Sequence, residues 1–237
     1  MKSNLKIEIP SGANEIIHTL QDKGYEAFLV GGCVRDSILK RPIHDYDITT
    51  SATPDEMMEV FKDKRIIETG LQHGTITILI DGEGYECTTY RIDGNYSDSR
   101  RPDSVTFTRN LKEDLKRRDF TINAMAYNDE VGLIDPFNGM EDIEHYKIRC
   151  VGRAEDRFSE DALRILRAIR FASQLGFVVD PGVSFNIHKM YKNLENISIE
   201  RINSEFCKIA LSSEFYIQIG LFREVFSLFI PEIKDFL

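Results

Sequence analysis

A pair of glycines between an apolar run and a helix-like segment places the strongest constraint on the fold of this chain. The run Ala27–Val30 predicts a buried strand that leads directly into Gly31–Gly32, and the residues from Val34 onward predict a helix. In this arrangement backbone amides can approach an anion closely, near the positive end of the helix. No Gly-Lys-Ser/Thr follows and the third glycine of a dinucleotide fingerprint is missing, so the segment is neither a P-loop nor a dinucleotide-binding turn.

Two aspartates, Asp45 and Asp47, follow the glycine turn in a segment, residues 45–49, that predicts a strand. Alternate side chains of a strand share a face, so the two carboxylates are expected side by side. Neighbouring anions repel unless a cation lies between them, and a divalent metal is the usual cation. A lone Asp-x-Asp is more often a solvated pair in a turn or cap. The glycine turn just upstream instead favours metal-assisted chemistry on a nucleoside triphosphate.

A predicted hairpin supplies a third carboxylate, Glu86. Residues 75–80 predict one strand, residues 81–84 the turn, and residues 85–91 the returning strand. If the returning strand lies beside the Asp45–Asp47 strand, three carboxylates can share a metal site of the kind that polymerases use. Otherwise Glu86 is an exposed strand acid.

Length and composition allow several classes of protein and disfavour others. The 237 residues are 42% hydrophobic and 29% charged, which is ordinary for a soluble protein of one large or two modest domains. No apolar stretch approaches the ~18 residues of a membrane span, and the N-terminus lacks the apolar segment of a signal peptide. The four cysteines show no metal-binding spacing and predict free thiols, so the cytoplasm is the expected compartment.

The chain changes character near residue 150. Residues 1–149 predict an α+β catalytic part, a mixed sheet with flanking helices. Residues 150–237 predict an all-helical part that begins with a helix over residues 158–175, ended by Gly176. Further helices are predicted near residues 183–192, 199–211 and 213–222.

The basic residues cluster although the net charge is −9. One group lies between Arg100 and Arg118, and it permits a polyanion site without demanding one. Arg100, Arg101 and Asp103 flank a proline in a predicted loop, which is either solvated or carries arginines over a phosphate site. Arg117 and Arg118 precede a predicted apolar helix, which favours a positioned pair facing a triphosphate.

A second basic group follows an acidic residue in the predicted helix of residues 158–175. On a helix Asp161, Arg164 and Arg167 lie three apart along one stripe, with Arg170 one turn further on. The pattern indicates either an intrahelical ion pair or a base-reading pair, because Asp accepts from a base amino group and Arg donates to ring acceptors.

Five motifs in order give the chain a resemblance to a known family. They are Val30-Gly31-Gly32-x-Val34-Arg35-Asp36, Asp45-x-Asp47, Arg100-Arg101-Pro102, Arg117-Arg118-Asp119-Phe120-Thr121-x-Asn123-Ala124 and Glu160-Asp161-x-x-Arg164. Over about residues 25 to 175 the chain resembles the bacterial class II CCA-adding tRNA nucleotidyltransferases and the related poly(A) polymerases.

The resemblance implies a nucleotidyltransferase head, residues 1–149, and a helical neck with a nucleobase-recognition helix, residues 150–237. It implies Mg²⁺ at Asp45 and Asp47, with Glu86 as the third catalytic carboxylate. The residues it implies for nucleotide binding are Gly31, Gly32, Arg35, Arg118, Asp161, Arg164, Arg167 and Arg170. Arg100, Arg101 and Asp103 match the flexible loop linked to the switch from CTP to ATP.

The implied activity is template-independent addition of CMP and AMP, as CCA, to the 3′ end of tRNA from CTP and ATP. A poly(A) polymerase, or an enzyme that adds only CC or only A, shares every motif and stays open as an alternative. An inactive RNA-binding relative is disfavoured because Asp45, Asp47 and Glu86 are all present. Members of the family carry body and tail domains, whereas this sequence stops at Leu237, so it is either a fragment or a short form with weakened tRNA binding. The apolar segment 226–231 favours a fragment.

Overall fold

The computed structural model describes residues 5–94 and 104–235, which form two compact units. Within these residues the first unit takes in 5–94, 104–118 and 122–139, and the second takes in 119–121 and 140–235. The predicted loop residues Arg100, Arg101 and Asp103 lie outside the described residues. The predicted domain boundary at residues 149 and 150 stays a prediction.

The first unit combines short strands with short helices. Its strands are β1 (Ala27–Val30), β2 (Ile48–Thr50), β3 (Arg65–Gly70), β4 (Thr75–Ile80), β5 (Glu83–Thr89), β6 (Arg91–Asp93), β7 (Val105–Phe107), β8 (Ala126–Asn128) and β9 (Gly132–Ile134). Its helices are α1 (Ser11–Asp22), α2 (Gly32–Ile38), α3 (Pro54–Val60) and α4 (Leu111–Lys116), and α5 (Gly139–Glu144) begins at its last residue.

Seven of these strands form one mixed sheet in the order β3-β4-β5-β2-β1-β8-β9. The neighbours β2 and β5 run parallel, with Ile48 opposite Cys87, whereas the other pairs are antiparallel. Strands β6 and β7 form a separate antiparallel pair. The predicted α+β class with a mixed sheet and flanking helices is confirmed by this topology.

Apolar residues of α1 recur at helical spacing and cover the sheet. Ala13, Ile16, Ile17 and Leu20 are buried, and α1 packs against β1, β2 and β5. Such an apolar stripe holds a helix on a sheet because burying it stabilises the folded state by about 25 cal/mol per Å² of apolar surface. One face of the sheet is therefore covered by α1.

The second unit is predominantly helical, as the sequence predicts. Its helices are α6 (Ala154–Glu160), α7 (Leu163–Leu175), α8 (Pro181–Met190), α9 (Ile199–Ala210), α10 (Phe215–Leu221) and α11 (Arg223–Ser227). Helix α7 is buried on most sides and packs against α9. Two short strands, β10 (Lys147–Ile148) and β11 (Val178–Val179), form a parallel pair that the helical pattern does not predict.

Three local predictions are wrong. The strand predicted over residues 45–49 begins only at Ile48, because the charged residues before it lie exposed at the N-terminal end of β2. The helix predicted after Arg118 is a 3-10 turn, Thr121–Asn123, followed by β8. The helix predicted over 158–175 is broken at Asp161, whose backbone is extended (φ −143°, ψ 106°).

The four cysteines are free thiols, as predicted, and only Cys207 is exposed among them. Within the described parts of the chain, no helix is both long and apolar enough to cross a lipid bilayer.

Glu56 provides a test of the local energetics at α3. Thr53 and Glu56 form a capping box, and Arg109 donates two hydrogen bonds of 2.8 and 2.9 Å to the Glu56 carboxylate. The Arg109 hydrogen bond is the main reason that the pKa of Glu56 falls from 4.5 to about 2. Because the folded pKa lies below the unfolded one, this stabilisation is complete above pH 4.5 and is lost as the pH falls toward 2.

We expect Glu56→Ala to lower the free energy of unfolding by about 1 kcal/mol at pH 7, the usual cost of losing a helix cap. The thermal midpoint should fall by about 2–4 °C. The difference in the free energy of unfolding between Glu56→Ala and the unsubstituted chain should stay constant between pH 7 and 5.5 and shrink below pH 4.5. Glu59→Ala, which removes an exposed pair with Lys62, is the matched control. A difference that grows as the pH falls would contradict the account.

Candidate active site in the first unit

The glycine turn adopts the geometry that its sequence predicts. Gly31 has φ 79° and ψ −128°, in a region of backbone space that residues with a side chain rarely enter, and α2 begins at the next residue, Gly32. A Cβ built at Gly31 would lie 3.2 Å from Nη1 of Arg118. The turn therefore needs glycine for its backbone conformation, and the lack of a side chain leaves room for the Arg118 guanidinium.

The pairing of β2 and β5 places Asp47 beside Glu86. In this parallel pair Ile48 lies opposite Cys87, so Asp47, which directly precedes β2, comes beside Glu86 of β5. Asp47 remains bound to the sheet, because its carbonyl accepts a 3.0 Å hydrogen bond from the amide of Val30. The returning hairpin strand thus lies beside the strand that follows the aspartate pair, and a metal site shared by the three carboxylates stays a prediction.

The pKa of Asp47 shows that these carboxylates influence one another. Partial burial of the carboxyl group raises this pKa, the positive charge of Arg118 opposes the rise, and the negative charges of Glu86 and Asp45 add to it. An acid surrounded in this way is stabilised when a further cation approaches. Arg118 is the cation that already lies close enough to lower the pKa.

Asp45, Asp47 and Glu86 are available for a ligand. All three residues keep solvent-exposed surface, although the Asp47 carboxyl group is partly buried, and within residues 5–94 and 104–235 none of their carboxylates takes part in a hydrogen bond or an ion pair. The same described residues contain no group of three or more His, Cys, Asp or Glu side chains already close enough to hold a metal ion. The three acids therefore lie close enough to interact electrostatically but are not arranged as a metal-coordinating group.

Arg35, one of the predicted nucleotide contacts, is held below the glycine turn. Its side chain forms a bidentate pair with Asp36, at 2.7 and 3.0 Å, and donates a 2.6 Å hydrogen bond to Oδ1 of Asn123. Arg35 is buried, so these contacts tie α2 to the turn that precedes β8. A contact between Arg35 and a nucleotide stays a prediction.

Arg118 is anchored by a residue that sequence reasoning missed. Its Nη2 donates a 3.3 Å hydrogen bond to Oδ2 of Asp114, a fully buried residue of α4. The sequence holds a signal for this contact, because Arg117 and Arg118 follow Asp114 at the i+3 and i+4 spacings of a helix.

The predicted base-reading residues lie in the second unit, where Asp161 and Arg164 do not form the intrahelical ion pair that the sequence left open as an alternative. Asp161 lies between α6 and α7, where its carboxylate accepts a 3.0 Å bond from the amide of Leu163 and a 2.9 Å bond from Arg201. Arg164 is buried and forms its ion pair with Glu160. The intrahelical Asp161–Arg164 pair is therefore absent from the structure, because the helix break turns Asp161 toward Arg201 instead.

The other two predicted arginines of this stripe are also held within the second unit. Arg167 forms an ion pair of 2.6 Å with Asp119, and Arg170 pairs with Glu205 at 3.2 Å. Both guanidinium groups lie over the ring of Phe171, at 5.4 and 4.3 Å from its centroid. Arg201 and Glu205 of α9 carry no sequence signal that would have linked them to this stripe.

Comparisons with known proteins point to one family. Residues 27–149 match the Poly A polymerase head domain. The CCA-adding enzyme of Lactobacillus johnsonii is 48% identical over 231 residues, which cover 95% of this chain and 58% of that enzyme. The CCA-adding enzyme of Lactobacillus delbrueckii subsp. bulgaricus is 51% identical over 213 residues, covering 90% of this chain and 53% of the relative.

Solved structures show the same likeness. The Bacillus stearothermophilus CCA-adding enzyme in complex with CTP superposes with a TM-score of 0.83 at 43% identity, over 92% of this chain and 53% of that one. The Thermotoga maritima CCA-adding enzyme complexed with tRNA_CCA gives a TM-score of 0.76 at 25% identity, over 93% and 52% of the two chains.

The chain spans about half the length of the curated relatives that it matches. The predicted resemblance to CCA-adding enzymes is confirmed by sequence and by structure. The head-domain match alone extends over more than half of the 237 residues. The chain therefore belongs to the Poly A polymerase head domain family.

Proposed function

We propose that this chain adds CMP and AMP, as CCA, to the 3′ end of tRNA from CTP and ATP, with release of pyrophosphate. The observation that carries the proposal is the placement of Asp47 beside Glu86, next to the Gly31 turn and the Arg118 guanidinium. Its relatives are CCA-adding enzymes, and solved relatives are described in complex with CTP and with tRNA_CCA. The predicted division into a catalytic head, 1–149, and a neck, 150–237, and a cytoplasmic location belong to the same proposal.

The proposal assigns Mg²⁺ to Asp45 and Asp47, with Glu86 as the third carboxylate. Their donor chemistry fits, because hard divalent cations prefer carboxylate oxygens and these carboxylates have no partner among the described residues. Bound Mg²⁺ would polarise phosphate oxygens and favour ionisation of the attacking 3′-hydroxyl. The raised pKa of Asp47 is the electrostatic cost that a bound cation would remove.

Residues of the chain itself supply the binding and orientation of the triphosphate. Gly31 allows the backbone to approach phosphate oxygens without a side chain in the way, and Gly32 opens α2 beside it. Arg118 places a permanent positive charge between the turn and Asp47, where it can balance charge on the phosphates. Arg35 holds the turn in place through Asn123.

Recognition of the base is assigned to Asp161 and Arg164, with Arg167 and Arg170 supporting the same stripe. A carboxylate offers about four acceptor sites, and two of those on Asp161 are used by Leu163 and Arg201. The Asp161 carboxylate can therefore still accept a hydrogen bond from an exocyclic amino group, which cytosine and adenine both carry. The helix break at Asp161 frees its side chain from an intrahelical pair with Arg164.

The direct test incubates the chain with tRNA that lacks its CCA end, Mg²⁺, and CTP and ATP separately and together. Addition of CCA followed by a stop is the expected result. Long A tails would identify a poly(A) polymerase, and products that stop after CC or receive only A would identify a partial enzyme. The absence of any transfer would contradict the proposed activity for this chain.

Asp45→Ala should lower the rate of transfer by more than about a hundredfold, since even residues that only support a metal ligand typically account for ten- to a hundredfold. The affinity for CTP should change little, because Arg118 and the glycine turn remain. Transfer is measured with labelled CTP, and binding is measured by calorimetry. Asp63→Ala, which removes an exposed acid elsewhere in the first unit, is the control. Near-normal transfer by Asp45→Ala would refute the metal assignment.

Asp161→Ala should reduce the preference for CTP and ATP over UTP and GTP by about ten- to a hundredfold, the usual range for one base-reading contact. Relative kcat/KM values for the four nucleotides measure the change. Asp156→Ala, an exposed acid on α6, controls for charge. Arg201→Gln controls for the broken ion pair and should keep more of the preference than Asp161→Ala does. An equal loss in both variants would assign the effect to the pair and not to a base contact.

A further inference from the structure

Asp114 is a fully buried acid whose carboxylate gathers contacts from four residues of the first unit. Its Oδ1 accepts bonds of 2.9 and 2.8 Å from the Arg117 guanidinium and one of 3.3 Å from the amide of Arg91. Its Oδ2 accepts bonds of 3.3 Å from Arg118 and 3.2 Å from Thr49 Oγ1. A buried acid with this many donors acts as the fixed point of a network.

The network keeps Asp114 ionised. Burial alone would raise the pKa of this acid, but the charges of Arg117 and Arg118, the hydrogen bond from Arg117 and the amide of Arg91 lower it overall. Arg117 has a second acidic neighbour, because its Nη1 lies 3.9 Å from Oδ2 of Asp93. Among the contacts that the structure gives for Arg118, the one with Asp114 fixes its position directly.

The same carboxylate connects the sheet to the candidate site. Thr49, which binds Asp114, lies in β2 two residues after Asp47. Arg118, which also binds Asp114, lies against Gly31. One buried group therefore contacts both the cation at the glycine turn and β2, the strand that follows Asp47.

We propose that Asp114 is a positioning residue that holds Arg118 in place for the triphosphate of the incoming nucleotide. This inference rests on the proposed function, because Arg118 is assigned there to the phosphates. Asp114 itself is buried, so we assign its effect on triphosphate binding to the hydrogen bond that holds Arg118.

The test measures the dissociation constant of CTP by calorimetry, with Mg²⁺ and the full 237-residue chain. Asp114→Asn keeps the size of the side chain but removes its charge, and it should weaken CTP binding about tenfold, as expected for loss of one charge-assisted hydrogen bond. Arg118→Met should weaken binding at least as much. The double variant should bind CTP within about twofold of Arg118→Met, because the loss of Asp114 has no further effect once Arg118 is gone.

Two additional variants separate positioning from folding. Asp142→Asn removes an equally buried acid of the second unit, paired there with Arg149, and should lower stability without changing CTP affinity. If Asp114→Asn does not fold, Asp114→Asn/Arg117→Gln removes one charge of each sign and keeps the buried site balanced. This variant should still bind CTP about tenfold more weakly than Arg117→Gln alone.

The possible outcomes distinguish the inference from the proposed function. The positioning role would be overturned, while the function stands, if Asp114→Asn left CTP affinity unchanged. It would also be overturned if Asp114→Asn weakened CTP binding by the same factor in the unsubstituted chain and in the Arg118→Met background. A wild-type chain that binds no CTP would overturn both. Selective loss of CTP affinity that disappears in the Arg118→Met background would support the inference.

Discussion

The parallel pairing of β2 with β5 is the constraint on which the rest of the candidate site depends. It brings Asp47 and Glu86 side by side. Burial raises the pKa of Asp47, the charge of Arg118 lowers it, and the charges of Glu86 and Asp45 add to the rise. A divalent cation bound beside these carboxylates would favour their ionised forms. The short α2 and the Gly31 turn lie at the end of the neighbouring β1, so the same sheet also places the backbone that can approach a phosphate.

The cations of the two units are organised by different means. In the first unit Asp114 holds Arg117 and Arg118 from within the protein, and only Arg118 reaches the glycine turn. In the second unit Arg164, Arg167 and Arg170 each have an acidic partner of their own. Individually paired guanidinium groups are fixed in orientation, and planar recognition of a base edge requires fixed orientation. The net charge of −9 is thus compatible with arginines arranged for an anionic substrate.

The sequence predicted those features that depend on local chemistry. The glycine turn and the hairpin that carries Glu86 follow from residue type and spacing, and the structure contains both. The helix break at Asp161 could not be predicted, because the residues around it continue the helical apolar pattern. The partners Arg201 and Glu205 could not be predicted either, since they approach the stripe through packing of α9 on α7. Asp114 was missed although its spacing to Arg117 and Arg118 is that of a helical ion pair.

The proposed cation site requires Asp45, Asp47 and Glu86 to bind one divalent ion together. Titration of the metal-free chain with Mn²⁺, followed by electron paramagnetic resonance in the presence of CTP, is the decisive measurement for this claim. We expect Mn²⁺ to bind to the unsubstituted chain, and we expect Asp47→Asn and Glu86→Gln each to weaken its binding, with the double substitution weakening it most. Mn²⁺ affinity that stays the same in all three variants would contradict the claim.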